Sequence, residues 1–217
     1  MQRIGIIFIL LFNRYLFIPF PKATVTPVIA ANNIHCNIYI NTILYFIYMR
    51  VPKSFCTICT SSCVNDLIGL ILSLSIFYPD YPLYVLCDST VKKTIKNITP
   101  KPRVNITWVT RLNHYKKYKR QELKYPTFWN DLMASKTSIM LEAIEEHGDT
   151  MYLDADTILF HVIEVLDEEM QMGVCKNRIR KESEEGFGKY NHNMMWLKDK
   201  EVAVALGEYI KQNKSKD

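Results

Sequence analysis

From Ser54 onward, short apolar runs alternate with stretches in which apolar residues recur every three or four positions. The short runs predict strands, and the recurring pattern predicts amphipathic helices. The predicted strands cover 54–60, 83–87, 104–109, 151–153, 172–175 and 189–197. The predicted helices cover 66–78, a short segment capped by Ser89 or Thr90 that runs through Ile95, then 128–146 and 201–212. A polar segment at 178–189, with glycines at 186 and 188, predicts a mobile loop.

The order strand, helix, strand, helix, strand is typical of an α/β domain with a mostly parallel, Rossmann-related sheet flanked by helices. Ligands of such sheets bind at the carboxyl ends of the strands. Polar side chains follow three of the predicted strands there, at Thr60, Ser61, Asp88, Asp154 and Asp156. The chain has no glycine-rich dinucleotide or P-loop fingerprint after its first strand, so we expect phosphate binding of a different kind.

Residues 1–48 differ from the rest, because they contain no Asp or Glu and are mostly apolar. The apolar runs at 4–12 and 38–49 are shorter than the roughly 20 residues that a spanning helix needs. One interpretation is a signal sequence or weak signal anchor, since Arg3 precedes the first run. The other is that translation starts at Met49 and that 1–48 is not part of the working protein. In both cases the folded domain is expected over 49–217.

Composition changes this picture little. The 217 residues are 48% hydrophobic and carry a net charge of +5, and their densest basic patch is 116–120. No nucleic-acid-binding motif accompanies that patch, so we expect no nucleic-acid partner. The six cysteines do not have the spacing of a zinc site and are expected as buried free thiols of a reducing compartment. We therefore expect a cytoplasmic protein, or a membrane-anchored one in the secretory pathway if 1–48 is an anchor.

The pair Asp154 and Asp156 carries the main chemical signal. Two carboxylates one residue apart, directly after an apolar strand, can both reach a divalent cation. Mg²⁺ and Mn²⁺ prefer oxygen ligands and commonly share them with substrate phosphates. The flanking residues are apolar on both sides, and carboxylates among apolar residues need a partner. A surface turn with two solvated carboxylates is therefore the weaker interpretation.

Lys136 is the second signal. In the predicted helix it lies at the centre of the apolar face, where an unpaired charge is costly. The helix leads directly into the strand before Asp154, so the anion that pairs with Lys136 is either a nucleotide phosphate or a nearby carboxylate.

Three segments together resemble the centre of GT-A glycosyltransferases, in particular the glycogenin and galactosyltransferase-like branch. They are Phe-Trp-Asn-Asp-Leu-Met at 128–133 with Lys136, Met-Tyr-Leu-Asp-Ala-Asp-Thr-Ile-Leu-Phe at 151–160, and Tyr-Asn-His-Asn-Met-Met-Trp at 190–196. The resemblance covers roughly 53–212. It implies transfer of a sugar from a nucleotide-diphosphate donor, with a UDP-sugar favoured, to a glycan, protein or small-molecule acceptor.

The resemblance also implies roles for single residues. Asp154 and Asp156 would hold Mn²⁺ or Mg²⁺ against the diphosphate. The nucleotide would lie near Thr60, Ser61, Asp88, Lys136 and Asp154. The transferred sugar or the acceptor would face Asn191, His192 and Asn193.

Two departures from the branch qualify this expectation. Asn193 stands where the branch usually has Gly, which would narrow the sugar pocket or alter the choice of donor. The branch also has a metal-binding His near its carboxyl terminus that this chain lacks, so either His192 or water takes that place, or the domain is truncated and weakly active. Two alternatives stay open: a domain that only binds a nucleotide sugar, and a phosphatase of the haloacid dehalogenase type.

Overall fold

The computed structural model describes residues 51–119, 121–124, 126–163, 170–176 and 190–213. The strands are β1 Phe55–Cys59, β2 Pro82–Cys87, β3 Asn105–Thr110, β4 Thr150–Leu153, β5 Met172–Lys176 and β6 Tyr190–Leu197. The helices are α1 Val64–Phe77, α2 Ser89–Lys96, α3 Pro126–His147 and α4 Lys200–Asn213. All six predicted strands and all four predicted helices are present. The loop predicted at 178–189 lies outside the described residues, as does the whole of 1–48.

The strands form one six-stranded sheet in the order β3-β2-β1-β4-β6-β5. β3, β2, β1 and β4 are parallel, whereas β6 is antiparallel to both of its neighbours. This confirms the predicted α/β class with a mostly parallel sheet. Because β3, β2, β1 and β4 run in the same direction, their carboxyl ends meet at one edge of the sheet.

Helices cover both faces of the sheet, and each face has its own apolar core. α1 and α2 pack on one face, where Phe55, Leu70 and Val91 are fully or almost fully buried. α3 and α4 pack on the other, where Ile139 and Leu197 are fully buried. Burial of apolar area on both faces is what holds such a sheet together.

The start of α2 corrects one sequence prediction. Asp88, not Ser89 or Thr90, is the N-cap residue, and its side chain accepts hydrogen bonds from the amides of Thr90 and Val91. A carboxylate accepts two such bonds and also interacts favourably with the positive end of the helix dipole, which a hydroxyl does only weakly.

The turn between α3 and β4 places β4 beside β1. Gly148 has a φ of 95°, a left-handed conformation that favours glycine. The next residue, Asp149, is buried, and its Oδ1 accepts a hydrogen bond from the amide of Lys53 at 2.7 Å. This bond joins the segments that lead into the two strands.

The cysteines of the described residues are free thiols. Cys56, Cys59 and Cys87 are buried as predicted, whereas Cys63 and Cys175 are only half-buried. Burial raises the pKa of the thiols of Cys56, Cys59 and Cys87, the last of them to about 11. They are therefore protonated and weakly reactive near neutral pH. Among the helices of the described residues, none combines the length and the apolar character that crossing a membrane requires.

Thr57, in the middle of β1, gives a stability prediction. Its side chain is fully buried, and its hydroxyl has no hydrogen-bond partner among the described residues. Thr57→Val replaces this hydroxyl by a methyl group of similar size, so we expect the free energy of unfolding to rise by about 1 kcal/mol. Urea denaturation of the two proteins measures the difference.

Thr150 supplies the matched control, because the same substitution there removes a hydroxyl that is hydrogen-bonded. The Thr150 hydroxyl is 2.9 Å from the Ser54 hydroxyl, which donates to it, and 3.3 Å from the Ser54 carbonyl oxygen. Thr150→Val is expected to lower the free energy of unfolding by about 1 kcal/mol. Equal losses in both variants would contradict the interpretation of Thr57.

Candidate functional site

A cleft of about 310 Å³ opens at the carboxyl edge of the parallel strands. It is lined by residues from the ends of β1 and β4, from α1 and α3, and from β6. The described lining residues are Ile58, Thr60, Cys63, Asp66, Leu123, Leu132, Met133, Lys136, Tyr152, Asp154, Ala155, Asp156 and Asn193. Five of the residues predicted from the sequence are among them: Thr60, Lys136, Asp154, Asp156 and Asn193.

The turn that carries Asp154 and Asp156 is held on both sides. The Asp154 amide donates to the Asn193 carbonyl oxygen at 2.8 Å, which extends the pairing of β4 with β6. The Thr157 amide donates to the Asp154 carbonyl oxygen at 2.9 Å and closes the turn. Farther on, the Leu159 amide donates to the hydroxyl of Ser73 on α1 at 3.1 Å. The two carboxylates therefore sit on a fixed piece of backbone.

Lys136 reaches this turn from α3. Its side chain is almost completely buried, and its Nζ lies 2.8 Å from Asp154 Oδ1. The ammonium also lies 4.5 Å from the centroid of the Tyr152 ring, within the range of a cation–π interaction. Of the two anions that the sequence allowed, the structure shows the carboxylate of Asp154 as the partner.

Tyr152 is a contributor that the sequence analysis missed. Its hydroxyl donates to Asp154 Oδ1 at 2.8 Å, so this oxygen accepts from Tyr152 and Lys136 together. Burial, reinforced by the Asp154 carboxylate, raises the pKa of Tyr152 well above its ordinary value. The hydroxyl therefore stays protonated and remains a donor. The signal was available, because residues two apart on a strand share a face of the sheet.

An irregularity in β6 places Asn193 at the cleft and the His192 carbonyl oxygen near Lys136. β5 pairs Val174 with Met195 and then Cys175 with Asn191, so that 192–194 bulge from the ladder. Bulges of this kind redirect side chains and are frequent beside active sites. Within the bulge, Asn193 lines the cleft, and the His192 carbonyl oxygen lies 3.4 Å from Lys136 Nζ. The side chain of Asn191 lies outside the described part of the structure.

The imidazole of His192 is neutral at pH 7. Partial desolvation lowers its pKa, the positive charge of Lys136 lowers it further, and the Asp154 carboxylate partly opposes the change. His192 as a whole is exposed. The residue does not line the cleft described above.

Ser61 and Asp88 are not among the described lining residues of the cleft, but they are hydrogen-bonded to each other beside it. Asp88 is fully buried, and its Oδ2 accepts a hydrogen bond from the Ser61 amide at 2.6 Å. The same carboxylate caps α2, so Asp88 joins the turn after β1 to the helix after β2. Thr60, whose hydroxyl lies 2.8 Å from that of Ser62, is the residue of this turn that lines the cleft.

Carboxylates outnumber cations among the described lining residues of the cleft. Its described lining includes three carboxylates, those of Asp66, Asp154 and Asp156, and one cation, Lys136. Asp66, from the first turn of α1, was not predicted from the sequence. A cation bound between these carboxylates and a diphosphate would reduce the repulsion between the two anionic groups.

The donor atoms at the turn fit a hard divalent cation. Mg²⁺ is typically held by one or two carboxylates together with substrate phosphates and water, and Asp154 and Asp156 offer two carboxylates to the same cleft. Among the described residues, no three His, Cys, Asp or Glu side chains are grouped to hold a metal. Two carboxylates suit a cation whose remaining ligands are substrate phosphates and water.

Comparison with known proteins gives structural matches only. No family model matches the chain, and no curated protein sequence matches it. The glycosyltransferase GlyE of Streptococcus pneumoniae, in its apo form, is similar over 76% of this chain and 39% of its own, at 10% identity and a TM-score of 0.49. A second GlyE structure matches over 74% and 37%, at 14% identity and a TM-score of 0.43.

The apo structure of WbbM, a bifunctional glycosyltransferase, matches over 77% of this chain and 35% of its own, at 10% identity and a TM-score of 0.47. The chain thus spans less than two fifths of the length of each of these structures. All three are glycosyltransferases, the class that the sequence resembles. At these identities and TM-scores the likeness carries no conclusion about catalysis, donor or metal.

Proposed function

We propose that this chain is a metal-dependent glycosyltransferase that binds a nucleotide-diphospho-sugar, with a UDP-sugar favoured, in the cleft at the carboxyl edge of the sheet. The observation that carries the proposal is the pair Asp154 and Asp156, which follow β4 on one hydrogen-bonded turn and line the same cleft. The diphosphate is proposed to bind there together with Mn²⁺ or Mg²⁺, for which the two carboxylates are suitable ligands. When bound, the cation would neutralise the departing diphosphate.

Different residues of the cleft are proposed to bind the nucleoside, the cation and the sugar. Thr60, at the end of β1, is proposed to contact the nucleoside, and Asp154 and Asp156 to hold the cation beside the diphosphate. Asn193, together with Asn191 and His192 of the same strand, is proposed to face the transferred sugar or the acceptor. The acceptor is a glycan, a protein or a small molecule.

Lys136 is proposed to assist cation binding indirectly, by positioning the carboxylate of Asp154. Its ammonium is 2.8 Å from Asp154 Oδ1 and is almost inaccessible to solvent, so a phosphate would have to displace this contact to reach it. By holding Oδ1 together with the Tyr152 hydroxyl, Lys136 fixes the rotation of the carboxylate. A fixed carboxylate binds a cation at a smaller cost in conformational entropy.

Thermal unfolding with a panel of nucleotide sugars tests the proposal. Donor plus Mn²⁺ is expected to raise the melting temperature where donor alone does not, because a ligand at 100 times its dissociation constant stabilises the native state by about 2.7 kcal/mol. Donor hydrolysis in the presence of Mn²⁺ is then measured for the donor that binds.

The same assays separate the alternatives. Binding of a nucleotide sugar without hydrolysis or transfer would assign the domain to non-catalytic donor binding. Hydrolysis of a phosphate monoester with no binding of any nucleotide sugar would assign it to a phosphatase of the haloacid dehalogenase type. Either result would overturn the proposed transferase.

A further inference from the structure

We propose that the edge of the domain opposite the cleft docks on a membrane surface rich in anionic lipid. The surface lies where α1 and α2 end and where the chain leads into β3, and we call it the basic–apolar edge. It consists of Leu72, Ile76, Lys93, Lys96, Lys101 and Arg103. This inference goes beyond glycosyl transfer and does not depend on it.

The apolar part of this edge comes from α1, which has no charged residue between Leu67 and Phe77. Its inner face packs on the sheet, where Leu67, Leu70, Ile71 and Leu74 are fully buried. On its outer face Leu72 is 40% exposed and Ile76 is 72% exposed. These two residues are four apart and therefore adjacent on the helix surface. Exposed apolar patches with a polar rim are typical of protein or membrane interaction sites.

The basic part comes from a segment of unusual composition. Between Asp88 and Glu122 the chain has ten Lys and Arg residues and no Asp or Glu. Lys93, Lys96, Lys101 and Arg103 of this segment are exposed. Lys101 Nζ donates to the Lys96 carbonyl oxygen, which brings the end of α2 and the following loop together.

The two parts meet at the last turn of α1. There the Arg103 amide donates to the hydroxyl of Ser75 at 3.1 Å, which places the segment before β3 beside the end of this helix. Arg103 also faces Asp80 at 3.5 Å, but both side chains are largely exposed, so this pair contributes little and is screened by salt. Among the described residues, Lys93, Lys96 and Lys101 have no carboxylate partner. The edge thus carries exposed aliphatic side chains and three lysines that have no carboxylate partner among the described residues.

This combination favours a lipid surface over a soluble polyanion. Nucleic acid or an acidic polysaccharide would use the lysines but would leave Leu72 and Ile76 without a role. At an anionic bilayer, aliphatic side chains enter the headgroup region while neighbouring lysines meet the lipid charges. The described domain also begins at Val51, just before β1 and on this same edge of the sheet. The 48 residues at the start of the chain are apolar and acid-free as well.

Sedimentation of the full chain with vesicles tests the proposal. The wild-type protein is expected to bind vesicles of phosphatidylcholine mixed with phosphatidylglycerol, and to bind pure phosphatidylcholine vesicles much more weakly. The variant Lys93→Gln/Lys96→Gln is expected to bind the mixed vesicles about 30-fold more weakly, since each lysine near such a surface contributes roughly a five-fold factor. Leu72→Gln/Ile76→Gln is expected to lose most of the binding, because it removes the side chains that enter the lipid.

Matched controls lie away from this edge. Val204→Gln changes an exposed aliphatic residue of α4 on the other face of the sheet, and Lys117→Gln changes an exposed lysine that follows β3 at the carboxyl edge. Both variants are expected to bind as the wild type does. Equal binding by the wild type and both edge variants would assign attachment to residues 1–48 and overturn the proposal. Binding of DNA or heparin without vesicle binding would overturn it in favour of a soluble polyanion. Equal binding of the wild type to mixed and neutral vesicles would overturn it without any variant.

Discussion

Asp156→Asn is expected to abolish divalent-dependent donor turnover while the fold stays intact. The substitution keeps the size of the side chain and removes the negative charge that a hard cation requires. A cation at a departing diphosphate contributes several kcal/mol to stabilisation of the transition state, so its loss corresponds to a fall in rate of at least about 100-fold. Donor hydrolysis with Mn²⁺ measures this fall. Mn²⁺ binding followed by electron paramagnetic resonance in the presence of donor gives a readout that does not depend on turnover.

Asp80→Asn is the matched control for this substitution. Asp80 lies on the opposite edge of the domain, its side chain is largely exposed, and its φ of 65° is one that Asn also accepts readily. Turnover and Mn²⁺ binding are expected to match those of the wild type. Unchanged turnover in Asp156→Asn, or an equal loss in both variants, would contradict a metal-binding role for Asp156.

Lys136→Met is expected to lower both stability and donor binding. Methionine keeps most of the aliphatic part of the Lys136 side chain, which packs between α3 and the sheet, but it has no ammonium group. Asp154 then loses its ion-pair partner, and we expect the free energy of unfolding to fall by about 2 to 3 kcal/mol. This is less than for a fully buried pair, because the Asp154 side chain is 25% exposed and water can solvate it in part. Urea denaturation measures the loss.

A double-mutant cycle shows whether this loss belongs to the pair. Asp154→Asn alone leaves the buried ammonium of Lys136 without its carboxylate, whereas Lys136→Met/Asp154→Asn removes both charges. The double variant is therefore expected to be more stable than the sum of the two single losses predicts. Additive losses would contradict the proposed action of Lys136 through Asp154. So would a Lys136→Met variant that keeps normal donor binding.

Much of the fold was predictable from local pattern. The strand at 151–153 and the helix at 128–146 were predicted within a few residues of their observed bounds, because buried strands and amphipathic helices impose different spacings on apolar residues. The position of Asp154 and Asp156 after a buried strand also followed from the sequence. A parallel sheet then places them at the edge where ligands gather.

The partners of single side chains were less predictable. Sequence spacing placed Lys136 in an apolar face and required an anion, but it left a phosphate and a carboxylate equally possible. Asp88 was expected beside the nucleotide, yet its carboxylate is fully buried and holds the amides of Ser61, Thr90 and Val91. Such choices depend on distances between elements that are far apart in the chain.

The sequence by itself thus determined the order of the elements, the class of the sheet and the carboxylate pair that follows β4. The tertiary structure decided that β6 runs antiparallel beside β4, that a bulge carries Asn193 to the cleft, and that Asp154 Oδ1 accepts from Lys136 and Tyr152. The physical reason is the range of the interactions. Hydrophobic periodicity is a local property of the chain, whereas strand register and ion pairing form between residues such as Lys136 and His192 that only folding brings together.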